Sequence, residues 1–508
     1  MNYKLLLVLV VMAGFTSCSK FFDKDYFDKH NPPASKEDPS SFVEIASIDI
    51  GDAGAAEISA YDPKTERLFV VNNSGVNKID VIDLDNPAEP AVIASINLAV
   101  YAGAVNSVAV SDGLLAAAIE SVNKQEPGKV VVFNTTDYSE VKVIPVGALP
   151  DMVTFSPDGK YILTANEGEP NSTYTVDPVG SVSIISVKHN FSVVTLDFGS
   201  FAGQQAALQQ KGLRMFGPNA SFAQDMEPEY VAVSDDSKTA WVTLQENNAI
   251  AKIDILAKKI TQIFPLGFKD YSLAENAIDP SDRDGGINFG QWPVKGMYMP
   301  DAIAFTEHNG KPYLFTANEG DAREYSNFVE AKRIGSITLD PGAFPNAATL
   351  QAADKLGRLN ITNTLGDIDS DGDFDELYSF GARSFSVWNG NNGSLLFDSK
   401  NELEKRVVAA GYYDDGRSDD KGVEPEGIAL GTVGKKKVAF VGMERVDAVA
   451  VYDISDPLKP VFLQILKTGD APEGVLFVPA KESPIKHSLL IVSAEDDGVI
   501  KIYTPSKY

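Results

Sequence analysis

The sequence predicts an all-β protein, a β-propeller of seven blades with loop and short-helix insertions. One observation is a unit of short apolar, β-rich runs that recurs seven times, about 45 residues apart where nothing is inserted. The other is that each unit opens on an acidic residue or Asn, and its second run closes on another. The opening residues are Glu57, Asn106, Asp151, Glu229, Asp301, Glu426 and Glu473, and the closing residues are Asn73, Glu120, Glu167, Glu246, Glu319, Glu444 and Glu495.

The clearest copy of the unit occupies residues 424–454. Its three apolar runs lie at 428–430, 438–443 and 448–454, and turn residues separate them. This pattern is typical of consecutive antiparallel strands. An eight-blade count is the alternative, in which inserted residues such as 334–339 form a separate unit. Seven is preferred because only seven openings find a matching second strand.

Residues 1–18 are predicted to be a lipoprotein signal peptide. They contain the basic Lys4, an apolar run too short to span a bilayer, and Cys18, the single cysteine of the chain. The end of the segment resembles the bacterial lipobox, although Phe15 replaces the usual Leu. A lipid on Cys18 would place the protein in the bacterial cell envelope, as an outer-membrane or cell-surface lipoprotein. The alternative is an ordinary signal peptide.

Residues 19–41 are polar and proline-containing, which predicts a flexible tether between the membrane and a propeller at residues 42–508. The last unit, which ends at Tyr503, has only three strands of its own. We therefore expect residues 42–50 to form a strand that completes the last blade and closes the ring.

Three insertions interrupt the repeat. Residues 199–226 contain a predicted short helix at 204–213, and residues 267–299 read as a loop. The longest insertion, residues 320–382, lies inside the fifth unit. The third and fourth strands of that unit are expected at 384–388 and 394–398, joined by a turn rich in Asn and Gly.

Composition excludes some partners and activities. The 508 residues include 71 acidic and 44 basic side chains, a net charge of −27, which disfavours nucleic acid and favours cations. Only four histidines are present, and none lies in a repeated motif, so a His-rich zinc site is not expected. Neither a nucleophile elbow nor a glycine-rich phosphate loop is found.

Propeller geometry places the repeated acids at one mouth of the central channel, because the first strand of a blade starts where the second ends. We call Glu57, Asp151, Glu229, Asp301, Glu426 and Glu473 the inner ring, and Glu120, Glu167, Glu246, Glu319, Glu444 and Glu495 the outer ring. So many carboxylates raise one another's pKa unless cations offset them. Bound metal ions are one source, and Arg323, Arg383 and Arg445 are another. The alternative is that these acids only accept backbone hydrogen bonds at strand ends.

Residues 367–376 form a second acidic site. Asp367, Asp369, Asp371, Asp373 and Asp375 alternate with other residues, and Gly372 stands at the sixth position. This matches the front half of a calcium loop. Tyr378 occupies the twelfth position instead of Glu, so an EF-hand is not expected. A solvated acidic loop is the alternative.

Several motifs in order resemble the choice-of-anchor I family: Asn166-Glu167-Gly168-Glu169-Pro170, residues 177–183, Ala317-Asn318-Glu319-Gly320-Asp321-Ala322-Arg323, Gly381-Ala382-Arg383-Ser384 and Glu424-Pro425-Glu426-Gly427. The resemblance covers residues 42–503. It implies a surface-displayed propeller whose anchor varies between members. Its animal relatives imply calcium handling, and a label carried by bacterial relatives implies phosphatase activity. The resemblance brings no catalytic residues with it.

Two functional classes follow. The first is a lipid-anchored, calcium-binding surface protein that engages ions, glycans or proteins through its acidic face. The second is a metal-dependent phosphatase whose carboxylates hold a metal cluster and whose arginines bind phosphate. Glu426, Glu319 and Arg383 are then the catalytic candidates, and Arg323, Arg383 and Arg445 the phosphate ligands. Calcium is the expected cofactor, with another divalent cation or iron as the alternative.

Overall fold

The computed structural model describes residues 36–507. The predicted signal peptide, Cys18 and residues 19–35 of the predicted tether lie outside the described residues.

Seven four-stranded antiparallel sheets, which we number as blades 1 to 7, contain most of the strands of the described chain. The first strand of the described chain, β1 (Phe42–Asp49), belongs to the last of these sheets, blade 7. Blade 1 consists of β2 (Ser59–Asp62), β3 (Arg67–Asn72), β4 (Lys78–Asp83) and β5 (Ala91–Asn97). Blade 2 consists of β6 (Val105–Ser111), β7 (Leu114–Ile119), β8 (Pro127–Asn134) and β9 (Glu140–Ala148). Blade 3 consists of β10 (Pro150–Phe155), β11 (Tyr161–Asn166), β12 (Ser181–Ser186) and β13 (Ser192–Asp197).

Blades 4 to 7 continue the same up-and-down order, with a long insertion inside blade 5. Blade 4 consists of β14 (Pro228–Val233), β15 (Thr239–Leu244), β16 (Ala249–Asp254) and β17 (Lys259–Pro265), and blade 5 of β20 (Ile303–His308), β21 (Lys311–Asn318), β27 (Ser384–Asn389) and β28 (Leu395–Asp398). Blade 6 consists of β29 (Pro425–Val433), β30 (Lys436–Met443), β31 (Ala448–Asp453) and β32 (Val461–Lys467). Blade 7 consists of β33 (Pro472–Val478), β34 (Leu489–Ala494) and β35 (Val499–Pro505) together with β1.

The N-terminal strand closes the ring, as predicted. β1 pairs antiparallel with β35, from Phe42 opposite Pro505 to Asp49 opposite Val499. The innermost strand of blade 1 also contacts the innermost strands of blades 2 and 7. Closure removes the two open sheet edges that would otherwise template aggregation. The all-β class and the count of seven blades are therefore confirmed.

The insertions form their own small structures. β18 (Phe268–Asp270), β19 (Lys295–Met297) and β26 (Tyr378–Ser379) make a three-stranded sheet, so the segment predicted as a loop contributes two short strands. β22 (Glu324–Tyr325) pairs with β23 (Phe328–Val329), and β24 (Ala331–Arg333) pairs with β25 (Asn360–Thr362). Residues 334–336 form a 3₁₀ turn of this insertion and not an eighth blade.

Helix is confined to short segments among the described residues. The α-helices are Gln205–Gln209, Ala347–Leu350 and Glu402–Ala410, the last ending at Gly411 in the left-handed region. The 3₁₀ helices are Ala99–Tyr101, Val187–His189, Gly199–Gln204, Ala274–Asn276, Ile334–Ser336, Asp415–Arg417 and Glu444–Val446. None of the helices among residues 36–507 has the length and apolar character needed to cross a membrane.

The core lies between neighbouring blades. Side chains of β3 and β4, such as Phe69 and Val81, pack with Leu115 and Val131 of blade 2 in one buried cluster. Blades 6 and 7 share another, which includes Phe440 and Leu490. Burying a side chain of this size contributes about 1.5–3 kcal/mol. Packing of this kind holds each inner strand at a constant place around the axis, and so sets the position of the acids at its start.

Candidate functional site at the channel mouth

The inner strands of five blades begin with a β-bulge. The pairing register shifts directly after Val105, Pro150, Pro228, Pro425 and Pro472. A bulge leaves a residue out of the hydrogen-bonded ladder and re-aims its side chain. The residues placed in this way are Asn106, Asp151, Glu229, Glu426 and Glu473.

Glycine next to the bulge lets the inner strands approach closely in blades 6 and 7. A Cβ on Gly427 would lie 2.6 Å from the carbonyl oxygen of Glu473, and one on Gly474 would lie 2.4 Å from that of Glu57. Any side chain would push these strands apart. The repeated Pro-Glu-Gly of blades 6 and 7 therefore combines a strand start, an acid and a close contact.

A small cavity of about 40 Å³ lies between the inner strands, and we call it the axial cavity. Asp151 of blade 3, Asp301 of blade 5 and Glu473 of blade 7 line it, with Asn106 of blade 2 and Tyr230 of blade 4. The remaining inner-ring acids, Glu57, Glu229 and Glu426, are not among its lining residues. The structure thus divides the predicted inner ring into two groups of three.

Several inner-ring oxygens lack partners. Among residues 36–507, Oε2 of Glu229, Glu426 and Glu473 is buried and accepts no hydrogen bond. Glu57 differs, because the Asn73 side-chain amide donates to both of its oxygens at 3.0 and 2.9 Å. Leaving a buried acceptor unsatisfied costs about 1–3 kcal/mol, and more for a charged group.

Burial and mutual repulsion shift the inner-ring pKa values upwards. Burial raises the pKa of Asp151 to about 7; Glu169 and Glu120 add to the shift, and Lys124 opposes it. Burial raises the pKa of Glu473 well above its ordinary value, with further contributions from Glu495, Glu57, Asp151 and Asp301. The pKa of Asp301 rises in the same way. In the folded protein near neutral pH, these carboxyl groups are therefore either protonated or neutralised by a bound cation.

Four outer-ring residues lie beside the start of the inner strand of their blade. The backbone N–H of Glu120, Glu167, Glu444 and Glu495 donates to the residue just before that strand, at 2.9–3.0 Å, and the acceptors are the carbonyls of Ala104, Leu149, Glu424 and Ala471. Second-strand ends and first-strand starts thus share one face of the propeller.

Lys421 forms ion pairs with a group of acids at the mouth, and we call this group with Lys421 the Lys421 sector. Lys421 Nζ lies 2.8 Å from Glu319, 3.0 Å from Glu424 and 3.7 Å from Asp321. Carboxylate oxygens of Glu319, Glu424 and Glu444 all lie within 4.8 Å of one another. Burial alone would raise the pKa of Glu319, but Lys421 outweighs it and the net shift is downwards.

Sequence reasoning missed two members of that sector, Lys421 and Glu424. Glu424 immediately precedes Pro425 in the repeat, in the place that Leu149 and Met299 hold in other blades. This substitution of an acid for an apolar residue is a sequence feature that could have identified it. Lys421 lies in the segment between blades 5 and 6, where no repeat predicts a position.

Arg323 neutralises a second sector. Its guanidinium contacts Glu227 and Glu169 and lies 3.9 Å from Glu246. The side chain is 4% exposed. Burial still raises the pKa of Glu246 to about 7. One guanidinium therefore does not compensate this many acids.

The other two predicted arginines differ from each other. Arg445 pairs with Glu444 at 2.8 Å and lies 3.6 Å from Glu424, so it belongs to the mouth as expected. Arg383 is buried and donates to the carbonyls of Asp279, Ser418 and Asp420 and to Glu404. All of these partners belong to the insertion and linker segments, so the structure gives no support to Arg383 as a phosphate ligand.

The acidic loop of residues 367–376 folds back on itself. Asp367 accepts from the N–H groups of Asp371 and Gly372 at 3.2 and 3.1 Å, and Gly372 has a φ of +99°. Oxygens of Asp367, Asp369 and Asp375 lie within 4.8 Å of one another, as do those of Asp340, Asp373 and Asp375. Asp340, which the sequence pattern did not include, thus joins the loop, and Asp371 belongs to neither group.

Sequence comparisons agree with the repeat motifs. The profile of the choice-of-anchor I domain matches residues 57–457. Gigasin-3a of Magallana gigas is 27% identical over 182 residues, 29% of this chain and 64% of that protein. The mesenchyme-specific cell surface glycoprotein of Strongylocentrotus purpuratus is 25% identical over 330 residues, 55% of this chain and 42% of that protein. The matches thus span less than two thirds of either relative.

Solved structures of low sequence identity show a similar arrangement. Hydrazine synthase of Kuenenia stuttgartiensis has a TM-score of 0.49 at 13% identity, covering 90% of this chain and 97% of that one. The WD40 domain of Toxoplasma gondii coronin has a TM-score of 0.48 at 9% identity, covering 93% and 88%. Both TM-scores are low, and the propeller assignment rests on the sheet topology of the chain itself.

Proposed function

Because the chain belongs to the choice-of-anchor I family, which suggests a surface-associated protein, we propose that it is a surface-displayed propeller that binds divalent cations, calcium foremost. One observation carries the proposal: inner-ring acids surround the channel mouth, and a buried oxygen of Glu229, of Glu426 and of Glu473 accepts no hydrogen bond within the described residues. A hard cation would satisfy these oxygens and offset the repulsion between them.

The acidic loop supports the same chemistry. Its two groups of three carboxylates share Asp375, and they contain oxygen ligands only, which suits calcium better than zinc or copper. A calcium ion held there with solvent-facing positions could also accept an oxygen from a glycan or an acidic protein. Glycans and proteins are accordingly the proposed partners of the acidic loop.

Metal analysis tests the proposal. The purified full chain, dialysed against calcium, magnesium, zinc or iron, should retain calcium in preference to the others. Neutralising Glu473 and Asp301 together should lower the bound calcium, whereas neutralising the exposed Asp112 on the opposite face should not. A protein that retains none of these ions contradicts the proposal.

A metal-dependent phosphoesterase is less well supported. The guanidinium groups of Arg323 and Arg383 are already engaged by carboxylates and carbonyls, which leaves no free planar fork for phosphate at either residue. The wild type should therefore stay inactive on p-nitrophenyl phosphate with each metal supplied. A phosphatase rate that is abolished by Glu426→Gln, with the fold intact, would reverse this ranking.

Lipid anchoring through Cys18 is a separate proposal, supported by the lipobox-like sequence alone. Cys18→Ala should move the protein from the membrane fraction to a soluble or unprocessed form, because a diacyl group provides a two-chain anchor. Metabolic labelling with a fatty acid measures the modification directly. Absence of label from the wild type would show that this cysteine carries no lipid.

A further inference from the structure

The N-terminal segment reaches the propeller on the face opposite the mouth. β1 starts at Phe42 and ends at Asp49. Shortly after its end, the backbone N–H of Gly54 donates to the carbonyl of the outer-ring Glu495 at 3.0 Å, so the end of β1 lies at the mouth. The start of β1 therefore lies on the opposite face, which we call the base. The chain that precedes the described residues is thus connected to the propeller at the base.

Glu37 fixes the described part of this segment to the base. Its carboxylate accepts hydrogen bonds from the backbone N–H and the hydroxyl of Ser488, both at 2.7 Å, and lies 3.2 Å from Nδ1 of His487. Ser488 directly precedes β34, the strand that ends next to Glu495, so it lies at the base. Glu37 is 5% exposed. Buried polar contacts therefore hold the point where the chain enters the propeller.

Lysines surround this point, and we call the group the basic patch: Lys36, Lys435, Lys436, Lys486 and Lys507. All five are exposed. Lys36, Lys435 and Lys436 line one surface groove with Glu37 and Asp38. The carbonyl of Lys507 accepts from the N–H of Asp38 at 3.0 Å, and Lys486 lies two residues before Ser488.

Most of the patch is not neutralised by the protein. Within residues 36–507, Lys436 pairs with Asp453 at 3.0 Å, and the other four lysines form no ion pair. Asp453, Glu37 and Asp38 are the acids that contact this group, so the lysines outnumber them. The base therefore carries a local positive charge in a chain whose net charge is −27. Ammonium groups of this kind bind phosphates as point charges, and clusters of them bind anionic membrane surfaces.

The acidic mouth does not prevent such contact. The mouth and the base lie at opposite ends of the same strands, and a six-residue strand such as β34 is about 20 Å long. Salt screens exposed charges over about 8 Å at physiological ionic strength. A surface that touches the base is therefore shielded from most of the charge of the mouth.

We propose that the basic patch binds the phosphate headgroups of an anionic membrane surface and so holds the propeller with its acidic mouth facing away from the membrane. The proposed lipid on Cys18 brings the propeller to that membrane, and the inference rests on this anchoring for the orientation but not for the binding of headgroups. Cys18 precedes Lys36 by 18 residues, which reach at most about 60 Å. A tether of that reach permits either orientation, so the patch sets it. A lipid with a basic patch is a two-signal anchor.

The experiment measures which face lies near the lipid. Cys18 is the only cysteine, so a second cysteine is the one reactive thiol of the lipidated full-length protein. Ser40→Cys at the base and Val76→Cys in the exposed β3–β4 turn at the mouth are each labelled with a fluorescent maleimide. The protein is reconstituted in phosphatidylcholine vesicles, with or without phosphatidylglycerol, that contain a headgroup spin-labelled lipid as quencher.

Quenching should be stronger at residue 40 than at residue 76 in vesicles that contain phosphatidylglycerol. The difference should disappear in neutral vesicles and at 1 M salt, where charges are screened over about 3 Å. Lys36→Glu, Lys435→Glu and Lys486→Glu combined should reduce quenching at residue 40 to the level at residue 76.

The matched control combines Lys211→Glu, Lys332→Glu and Lys405→Glu. It makes the same change in net charge at three exposed lysines, in the segments that follow β13, β21 and β28 and not at the base. This control should leave quenching at residue 40 unchanged. Circular dichroism checks the fold of both triple variants.

The outcomes separate this inference from the proposed anchoring. Equal quenching at the two residues in anionic vesicles, or quenching at residue 40 that the patch variant leaves unchanged, overturns the patch. Maleimide labelling of the wild type would show that Cys18 carries no lipid, and cosedimentation of that protein with the same vesicles then tests the patch alone. The patch variant should weaken cosedimentation with anionic vesicles about a hundredfold, at about fivefold for each lysine. Cosedimentation that is absent or unaffected by the variant overturns the inference.

Discussion

The region around Lys421 and the inner ring of the mouth contain the same residue types in opposite electrostatic conditions. Glu319 and Glu424 of the outer region share Lys421 within 3.0 Å, and the pKa of Glu319 falls below its ordinary value. Asp301 and Glu473 of the inner ring are raised in pKa by burial and by one another. Identical carboxylates at homologous strand ends thus become a structural ion-pair network in one place and an uncompensated cluster in the other.

The difference shows how a symmetric repeat acquires a unique site. Blades supply acids at regular intervals, but two of the compensating cations come from irregular segments: Arg323 from the blade 5 insertion and Lys421 from the segment after it. Neither Arg323 nor Lys421 is among the residues that line the axial cavity. The centre of the mouth is therefore where we expect the exchangeable cation.

Removing the ammonium group of Lys421 should have the largest effect on the free energy of unfolding. Lys421→Met leaves Glu319 and the buried Glu424 without their ammonium partner, and breaking such a buried pair costs about 3–5 kcal/mol. Urea unfolding with chelator present measures the free energy of unfolding. Lys400→Met, which breaks an exposed pair with Glu275, is the control and should cause no measurable loss. Equal stability of the two variants would show that Lys421 does not carry the network.

Removing the exchangeable cation should have a smaller effect. A ligand bound only by the folded state adds about 2.7 kcal/mol at a hundredfold excess over Kd, so chelator should lower the melting temperature of the wild type. Asp301→Asn should remove most of this calcium dependence. Asp369→Ala with Asp371→Ala should remove little of it, because the loop is an exposed insertion outside the blades. The reverse ranking would place the stabilising ion in the loop.

A third effect is expected from pH. Burial raises the pKa of Glu57 to about 8 in the folded protein, against an ordinary value of 4.5, while the Asn73 hydrogen bond opposes the shift. The folded state then binds more protons than the unfolded state between these values, so stability of the chelated protein should fall as pH rises from about 4.5 to about 8.

Glu57→Gln should flatten this part of the pH profile, which unfolding at a series of pH values measures. Asp112→Asn should leave it unchanged, because Lys64 lowers the pKa of that exposed carboxylate instead of raising it. A profile that rises with pH in the wild type would mean that the inner ring is already compensated by cations that chelator does not remove.

Local patterns predicted the blades well for a physical reason. Alternation of apolar residues, turn residues and Pro-acid pairs is set by contacts within a blade, and these are close in sequence. The same holds for Gly372 and the fold of the acidic loop around Asp367. The insertions were predicted less well: the 267–299 segment contains the strands β18 and β19, and β19 pairs with β26 about 80 residues later.

The sequence by itself determined the number of blades, the closing strand and the acid or Asn at each strand end, since each of these follows from short-range pattern and from the need to bury sheet edges. Only the tertiary structure decided which acids meet. Asp151, Asp301 and Glu473 lie far apart in the chain and come together because ring closure brings their inner strands to one axis. Which acids acquire Lys421 or Arg323 depends on how the insertions fold over the mouth, and no repeat period contains that information.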